Sequence, residues 1–169
     1  VAPSGAITGL IGPNGAGKTT VVNLITGVLK LNSGRIYVGD KDVSEAPMEE
    51  VARAGVARTF QNIRLLPEAT VLENVMIGFY RVDRSGPIAQ LLGLPSARAA
   101  QREAREKSMA LLERFDMVQY SGHLASALAY GHQRRVEMMR AIAARPDVLL
   151  LDEPVAGMND VEAGSLGEM

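Results

Sequence analysis

Short apolar runs near both ends of the chain predict strands, and the polar spacing between them predicts turns and helices. Residues 6–11 form a β-branched apolar run typical of a buried strand, and residues 147–151 form a second one. Residues 34–43 alternate between apolar and polar side chains, which predicts a hairpin, and residues 56–59 predict a further short strand. Strands at both ends with helices between them favour an α/β fold with a parallel core.

Helical periodicity dominates the rest of the chain. Residues 18–26 predict a helix that ends at Gly27, a residue suited to the left-handed turn after a helix. Residues 70–79 predict another helix, in which Thr70 and Glu73 have the spacing of a capping box.

Two longer helices are predicted at residues 96–115 and 131–144, and the glycines and prolines of residues 85–95 predict a loop before them. The first of these helices is charged and amphipathic. Its expected inner side includes Ala99, Met109 and Leu112. We expect residues 70–144 to form a helical block inserted into the strand-bearing part of the chain.

The amino-acid composition narrows the choice of function only slightly. Of the 169 residues, 47% are hydrophobic and 22% are charged, which is typical of a globular protein. The net charge of −1 gives no basic field, so nucleic acid is not an expected partner. The chain has no cysteine, which excludes disulfides, thiolate catalysis and cysteine-ligated zinc.

We expect a soluble, cytoplasmic chain, because no apolar run approaches the roughly 18 residues that cross a bilayer and no signal peptide is evident. Both ends of the sequence look cut. The chain starts with Val1 instead of methionine, and residues 160–169 resemble the opening of a helix that stops without a cap. We therefore expect a piece of a larger domain.

The sequence GPNGAGKTT has the spacing G-x-x-x-x-G-K-T between a predicted strand and a predicted helix. Phosphates are held by a ring of backbone N–H groups, and small residues let the backbone come that close. The Lys18 ammonium would reach the β- and γ-phosphates, and the Thr19 hydroxyl would bind Mg²⁺. The expected phosphate-binding residues are Gly12, Pro13, Asn14, Gly15, Ala16, Gly17, Lys18, Thr19 and Thr20. The alternative is a glycine-rich turn that binds no ligand.

Two acidic residues follow the last apolar run, where ligands bind in open α/β sheets. Asp152 is the expected Mg²⁺ ligand, and Glu153 is the expected general base for the attacking water. A turn with Asp and Pro after a strand is common, so this assignment depends on the phosphate loop in the same chain.

The segment LAYGHQRR, residues 128–135, precedes this acidic pair. It places Arg134 and Arg135 at the start of a predicted helix, where the helix dipole favours acids. These arginines are either solvated surface residues or part of an anion site at the helix N-terminus.

Together these motifs resemble the ATP-binding cassette (ABC) proteins, in which a signature loop, LSGGQ, stands just upstream of the acidic strand end. The resemblance covers residues 6–160 and includes ARTFQ, with Gln61 as the Q-loop glutamine, and AGMND as the D-loop. The stretches ARTFQNIRLLPEATVLENV, RSGPIAQLLGLPSARAAQREAR and LAYG look like the ATP-binding subunits of branched-chain amino acid importers.

The resemblance implies a P-loop NTPase core with a parallel sheet, a small antiparallel β portion and an inserted helical subdomain. The chain would be a single, incomplete nucleotide-binding domain. Residues 1–69 and 145–169 would form the ATPase core, and residues of about 70–144 the helical subdomain with the signature.

It also implies that two such domains pair head to tail, as a homodimer or a heterodimer, around ATP and Mg²⁺. Ala129, Gly131 and His132 of one subunit would contact the γ-phosphate held by Lys18 of the other, and Gln61 would contact Mg²⁺ or the attacking water. Transmembrane permease subunits, and indirectly a periplasmic or extracellular binding protein, would complete the transporter. The chain would then lie peripherally at the cytoplasmic face of the membrane.

Several positions depart from the family pattern. In the signature, Ala129 replaces serine, Tyr130 replaces glycine and His132 replaces glutamine, while Asn159 stands where many D-loops have aspartate. The family's switch histidine lies beyond the D-loop, whereas His123 and His132 both precede the acidic pair. The aromatic residue that stacks on adenine is also missing.

The sequence therefore predicts the ATP-binding and ATP-hydrolysing subunit of an importer, with branched-chain amino acids favoured and urea or short amides open. One alternative is a soluble cassette ATPase of translation or DNA repair, which usually carries a second cassette or a long coiled coil. Another is a nucleotide-binding fragment without turnover, although Lys18, Asp152 and Glu153 are intact.

Overall fold

The computed structural model describes residues 2–59, 63–80 and 95–151. Its helices and strands, in chain order, are α1 (Lys18–Ile25), β1 (Tyr37–Val38), β2 (Lys41–Asp42), α2 (Met48–Arg53), β3 (Val56–Arg58), α3 (Val71–Tyr80), α4 (Pro95–Arg114), α5 (Tyr130–Ala143) and β4 (Val148–Leu150). Short 3₁₀ turns lie at Val118–Tyr120 and Ala125–Ala127. The chain divides into two compact units, Val1–Val56 and Ala57–Met169.

The first unit contains the predicted hairpin. Strands β1 and β2 pair antiparallel, with Val38 opposite Lys41. Gly39 connects them with a φ of 58°, a left-handed conformation that suits glycine in a tight hairpin turn. Val43 and Val51 are buried with Val38 and give this unit a small apolar core.

Residues 6–11 do not form the buried strand that the sequence predicts. Ile7 is fully exposed and Ile11 is 95% exposed. In the described parts of the chain, strands pair only as β1 with β2 and β3 with β4, so this run has no neighbouring strand. A strand needs hydrogen-bonded neighbours for its backbone groups, which an apolar pattern alone does not supply. The prediction of a buried strand here is therefore wrong.

Three helices of the second unit, α3, α4 and α5, enclose its apolar core. The core includes Val71, Val75, Leu112, Met117, Val136 and Met139. The predicted capping box begins α3: the Thr70 amide donates to the Glu73 carboxylate at 2.8 Å, and the Glu73 amide donates to the Thr70 hydroxyl at 3.2 Å. The hydrogen bond from the Thr70 amide lowers the pKa of the Glu73 carboxyl.

The long helix α4 is confirmed, and so are two of its predicted inner residues, since Leu112 is buried in the core and Met109 packs against it, whereas the prediction for Ala99 is wrong. Ala104, Ser108 and Leu112 are buried at intervals of four residues. Ala99 is exposed because it lies beside this stripe, about 100° around the helix from Ala100. The predicted loop at residues 85–95 lies outside the described residues except for Pro95, which begins α4.

Strand β4 is confirmed, but it is less buried than predicted. Val148 is 37% exposed, and Leu151, just after the strand, is 41% exposed. A strand is buried on both faces only when layers cover both faces. The Thr59 amide donates to the Leu150 carbonyl at 3.0 Å, so the ends of β3 and β4 lie side by side.

The segment that leads to α5 is tied to the start of α3. The Val71 amide donates to the His123 carbonyl at 2.9 Å, and the Ala125 amide donates to the Ala69 carbonyl at 3.0 Å. The side chain of Asn74, which is fully buried, accepts a hydrogen bond from the Leu66 amide at 2.9 Å. The residues before α3 and those before α5 therefore share one hydrogen-bonded frame.

We expect Gly78→Ala to lower the free energy of unfolding by about 1–3 kcal/mol, the usual cost of overpacking. A Cβ at Gly78 would lie 2.6 Å from the Ala143 Cβ and would clash with the Arg140 carbonyl oxygen. In an uncrowded helix the same change would stabilise by about 1 kcal/mol.

Gly122→Ala is the matched control, because a Cβ there meets nothing within 4 Å. Urea denaturation of both variants measures the difference. Equal stability of the two variants would contradict the close contact between α3 and α5.

Candidate nucleotide-binding site

The loop of residues 12–20 has the backbone conformation that its glycines predict. Gly15 has a φ of 81°, and Gly17, the N-cap of α1, has a φ of 85°. Residues other than glycine adopt this left-handed conformation only with strain. The chain therefore turns tightly before it enters α1 at Lys18.

Several amide groups of this loop are left without protein acceptors. Within the described residues, the amides without an acceptor include those of Gly15, Gly17, Lys18, Thr19 and Thr20. The first turn of α1 has no side-chain cap and no acidic residue. Unpaired donors at the positive end of a helix dipole fit the oxygens of a phosphate group.

The Lys18 side chain adds the positive charge of the loop. Its ammonium donates to the Gly12 carbonyl at 2.7 Å and to the Pro13 carbonyl at 2.9 Å, so it folds back along the loop. Phosphate oxygens carry negative charge, so they add a Coulomb attraction to the ammonium that these neutral carbonyls lack. The donor set of amides and one ammonium thus fits a nucleotide phosphate chain.

The expected magnesium ligands are only partly described. The Thr19 side chain is exposed and is therefore accessible to a cation. Gln61, Asp152, Glu153 and Asn159 lie outside the described residues. The described residues contain no group of three or more His, Cys, Asp or Glu side chains that could hold a metal ion.

The described residues that precede two of these predicted ligands are neighbours. The Thr59 amide donates to the Leu150 carbonyl at 3.0 Å, and in sequence Gln61 follows Thr59 by two residues and Asp152 follows Leu150 by two.

The segment LAYGHQRR forms a turn into α5. Ala129 is the N-cap, with extended backbone and no side-chain cap. The Gln133 side-chain amide donates to the Leu128 carbonyl at 2.9 Å, and its backbone amide donates to the Ala129 carbonyl at 3.0 Å. Gln133 therefore fixes this turn, a role that the sequence prediction missed although glutamine is common near helix starts. Ala129 is exposed, His132 is half-buried and Gly131 is buried.

Arg134 is neither a solvated residue nor part of an anion site, and both predicted roles are wrong for it. Its side chain is 1% exposed, and its guanidinium Nη1 lies 2.5 Å from the Glu137 carboxylate, which is 2% exposed. Helix α5 begins at Tyr130, one residue earlier than predicted, so Arg134 falls in the second turn and faces inward. The spacing of Arg and Glu three residues apart was the available signal for this pair.

Burial also affects a third charged residue of this helix. Desolvation lowers the pKa of the Arg140 guanidinium, and the Glu137 carboxylate opposes that effect. Helix α5 therefore carries charged groups on its inner side, where the amphipathic pattern predicts apolar residues.

Comparison with known proteins decides the family. Residues 2–156 match the family model described as ABC transporter. The chain belongs to the ABC transporter family. It is similar to the high-affinity branched-chain amino acid transport ATP-binding protein LivG of Escherichia coli (strain K12), with 44% identity over 96% of this chain and 64% of LivG. It is also similar to the corresponding protein BraF of Pseudomonas aeruginosa, with 41% identity over 95% of this chain and 63% of BraF.

A solved ABC cassette has the same fold. The ADP conformation of MJ1267, an ATP-binding cassette of an ABC transporter, superposes with a TM-score of 0.74 at 35% identity, covering 94% of this chain and 61% of MJ1267. The predicted α/β fold of the ABC ATPase type is thereby confirmed. This chain spans less than two thirds of the length of these relatives. Among its described residues, no helix is both long and apolar enough to cross a membrane.

We expect Lys18→Ala to weaken the binding of Mg-ADP by about 10- to 100-fold, because a hydrogen bond to a charged group contributes about 1.5–3 kcal/mol. Lys30→Ala is the matched control, since Lys30 is an exposed lysine of the same unit. Isothermal titration of both variants gives the affinities. An unchanged affinity in Lys18→Ala would refute the phosphate-loop assignment.

Proposed function

We propose that this chain is the ATP-binding and ATP-hydrolysing part of an importer for branched-chain amino acids. The observation that carries the proposal is the phosphate loop, whose unpaired amides and Lys18 ammonium fit a nucleotide phosphate chain. The similarity to LivG and BraF supports the substrate class. Urea and short amides remain the competing substrates, because specificity belongs to the binding protein and the membrane subunits.

The catalytic groups would lie around the end of this loop. Thr19, Asp152 and Gln61 would hold Mg²⁺, which neutralises charge on the phosphate oxygens when it is bound. Glu153 would accept a proton from the water that attacks the γ-phosphorus. The bond from that phosphorus to the bridging oxygen of ADP breaks as the new P–O bond forms, which yields ADP and phosphate.

The site would be completed by the signature turn of a second cassette, paired head to tail. Ala129 is exposed at the start of α5, and the first turn of this helix has neither a side-chain cap nor an acidic residue. Ala129, Gly131 and His132 of one subunit would therefore face the γ-phosphate held by the other subunit's loop. The pair is either two copies of this chain or this chain with a related one.

Transport requires membrane partners. We place the docking surface for a transmembrane permease on the helical subdomain, between residues 70 and 125. The subdomain would comprise residues of about 70–144 inserted into the ATPase core. The cassette would then work at the cytoplasmic face, and a binding protein on the other side would deliver the amino acid.

We expect Glu153→Gln in the full-length protein to retain nucleotide binding, to abolish turnover and to accumulate as an ATP-bound dimer. The amide removes the base but leaves the phosphate contacts in place. Asp147→Asn, which removes the charge of an exposed acid six residues earlier in the sequence, should leave turnover unchanged. Phosphate release and size-exclusion chromatography with ATP measure both effects. Persistent turnover in Glu153→Gln would remove Glu153 from the catalytic role.

The substrate class has its own test. In the cells that produce this protein, replacement of the gene by its Glu153→Gln variant should abolish the uptake of labelled leucine, isoleucine and valine. Uptake of labelled urea and acetamide should remain. The reverse pattern would refute the branched-chain amino acid proposal and indicate an amide importer. Unchanged uptake of all five compounds would favour a soluble ATPase.

A further inference from the structure

We propose that Tyr120 is a positioning residue that fixes the His132 imidazole at the start of the signature helix. The two ring centroids lie 4.6 Å apart, and the ring planes are inclined by 38°. This distance falls at the close end of the range for stabilising ring pairs. His132 stands where the family signature has glutamine. An imidazole ring that can stack therefore replaces a flexible side chain.

Tyr120 is itself held in place by the core of the second unit. It ends the 3₁₀ turn Val118–Tyr120, and its ring packs against the buried apolar cluster. The His123 ring also packs edge to face against the Tyr120 ring, with 5.7 Å between the ring centroids and 69° between the ring planes. The His123 amide donates to the Tyr120 carbonyl, and the His123 carbonyl accepts from the Val71 amide, each at 2.9 Å. The tyrosine therefore belongs to a part of the chain fixed against α3.

The consequence concerns the cost of pairing two cassettes. A histidine side chain at the edge of an interface loses rotational freedom when the interface forms, and a side chain that is already held loses less. The stack with Tyr120 holds the imidazole of His132 before the second cassette arrives. This inference rests on the proposed function, in which His132 contacts the γ-phosphate bound by the partner cassette.

The first measurement uses the full-length protein. It determines the protein concentration at which the rate of ATP hydrolysis per cassette is half of its maximum. We expect Tyr120→Leu to raise this concentration about 2- to 10-fold, the range that corresponds to the cost of immobilising one side chain at an interface. Tyr120→Phe keeps the ring and should restore the wild-type value. His123→Gln removes the other ring contact of Tyr120 but leaves the stack with His132, so as the matched control it should raise the value less than Tyr120→Leu does. The affinity for Mg-ADP should not change in any variant, because ADP has no γ-phosphate.

A double-mutant cycle with His132→Gln separates positioning from simple packing. If Tyr120 acts through His132, Tyr120→Leu has no further effect in the His132→Gln background. An effect of the same size in both backgrounds would overturn the inference, because Tyr120 would then act through the core alone.

The outcomes also distinguish this inference from the proposed function. A wild-type rate strictly linear in protein concentration, together with a monomeric mass in the presence of ATP, would overturn the pairing of cassettes and the inference with it. A rate that rises faster than linearly, together with no effect of His132→Gln, would overturn the inference and leave the pairing intact.

A second measurement covers the case in which Tyr120→Leu does not fold. The imidazole C–H proton resonances of His132, assigned by their loss in His132→Gln, report the stacked ring through its ring-current shift. Tyr120→Phe should keep that shift, and Tyr120→Met, which fills similar space without a ring, should abolish it. The same resonance positions in both variants would overturn the inference.

Discussion

The decisive constraint is that the first turn of every helix leaves backbone donors without partners inside the helix. Helix α3 satisfies them locally, because Thr70 and Glu73 cap each other's amides. Helices α1 and α5 have neither a side-chain cap nor an acidic residue in the first turn. One of these uncapped starts lies in each unit, and each coincides with a motif from which the sequence predicts a phosphate contact. The chain therefore keeps donors unpaired at the two places where a nucleotide phosphate is expected.

Unpaired donors are useful only if the turn that presents them is rigid, and each unit achieves this differently. In the first unit the backbone itself does so, through left-handed glycines at Gly15 and Gly17. In the second unit the turn into α5 is held by the Gln133 side-chain amide, which donates to the Leu128 carbonyl. Hydrogen bonds from residues around α3 then fix the segment that leads to Ala129.

Features set by neighbours in sequence could be predicted, and features set by distant parts of the chain could not. The capping box, the hairpin turn at Gly39 and the helix after the phosphate loop depend on a few adjacent residues, and the structure confirms them. The apolar run at residues 6–11 met the local criteria for a buried strand, but a strand depends on neighbours that no local pattern reveals. The prediction for Arg134 was wrong because it considered only the charge of the residue, which suggested an exposed site. The pairing with Glu137 and the surrounding core made burial possible.

Unpaired backbone amides stand at two helix starts, those of α1 and α5. This arrangement affects how the protein would distinguish ATP from ADP. Apart from the expected contact of Lys18 with the γ-phosphate, a single phosphate loop would hold phosphates that both nucleotides share, so its contacts alone would discriminate weakly between them. A second uncapped helix, supplied by a partner cassette and aimed at the γ-phosphate, would bind only while that phosphate is present. Under the proposed function, two cassettes would pair only while ATP is bound. Hydrolysis would remove the γ-phosphate that holds the pair together. The rigidity of the turn at Ala129 and His132 then lowers the cost of pairing, because a mobile turn would lose entropy each time the pair formed.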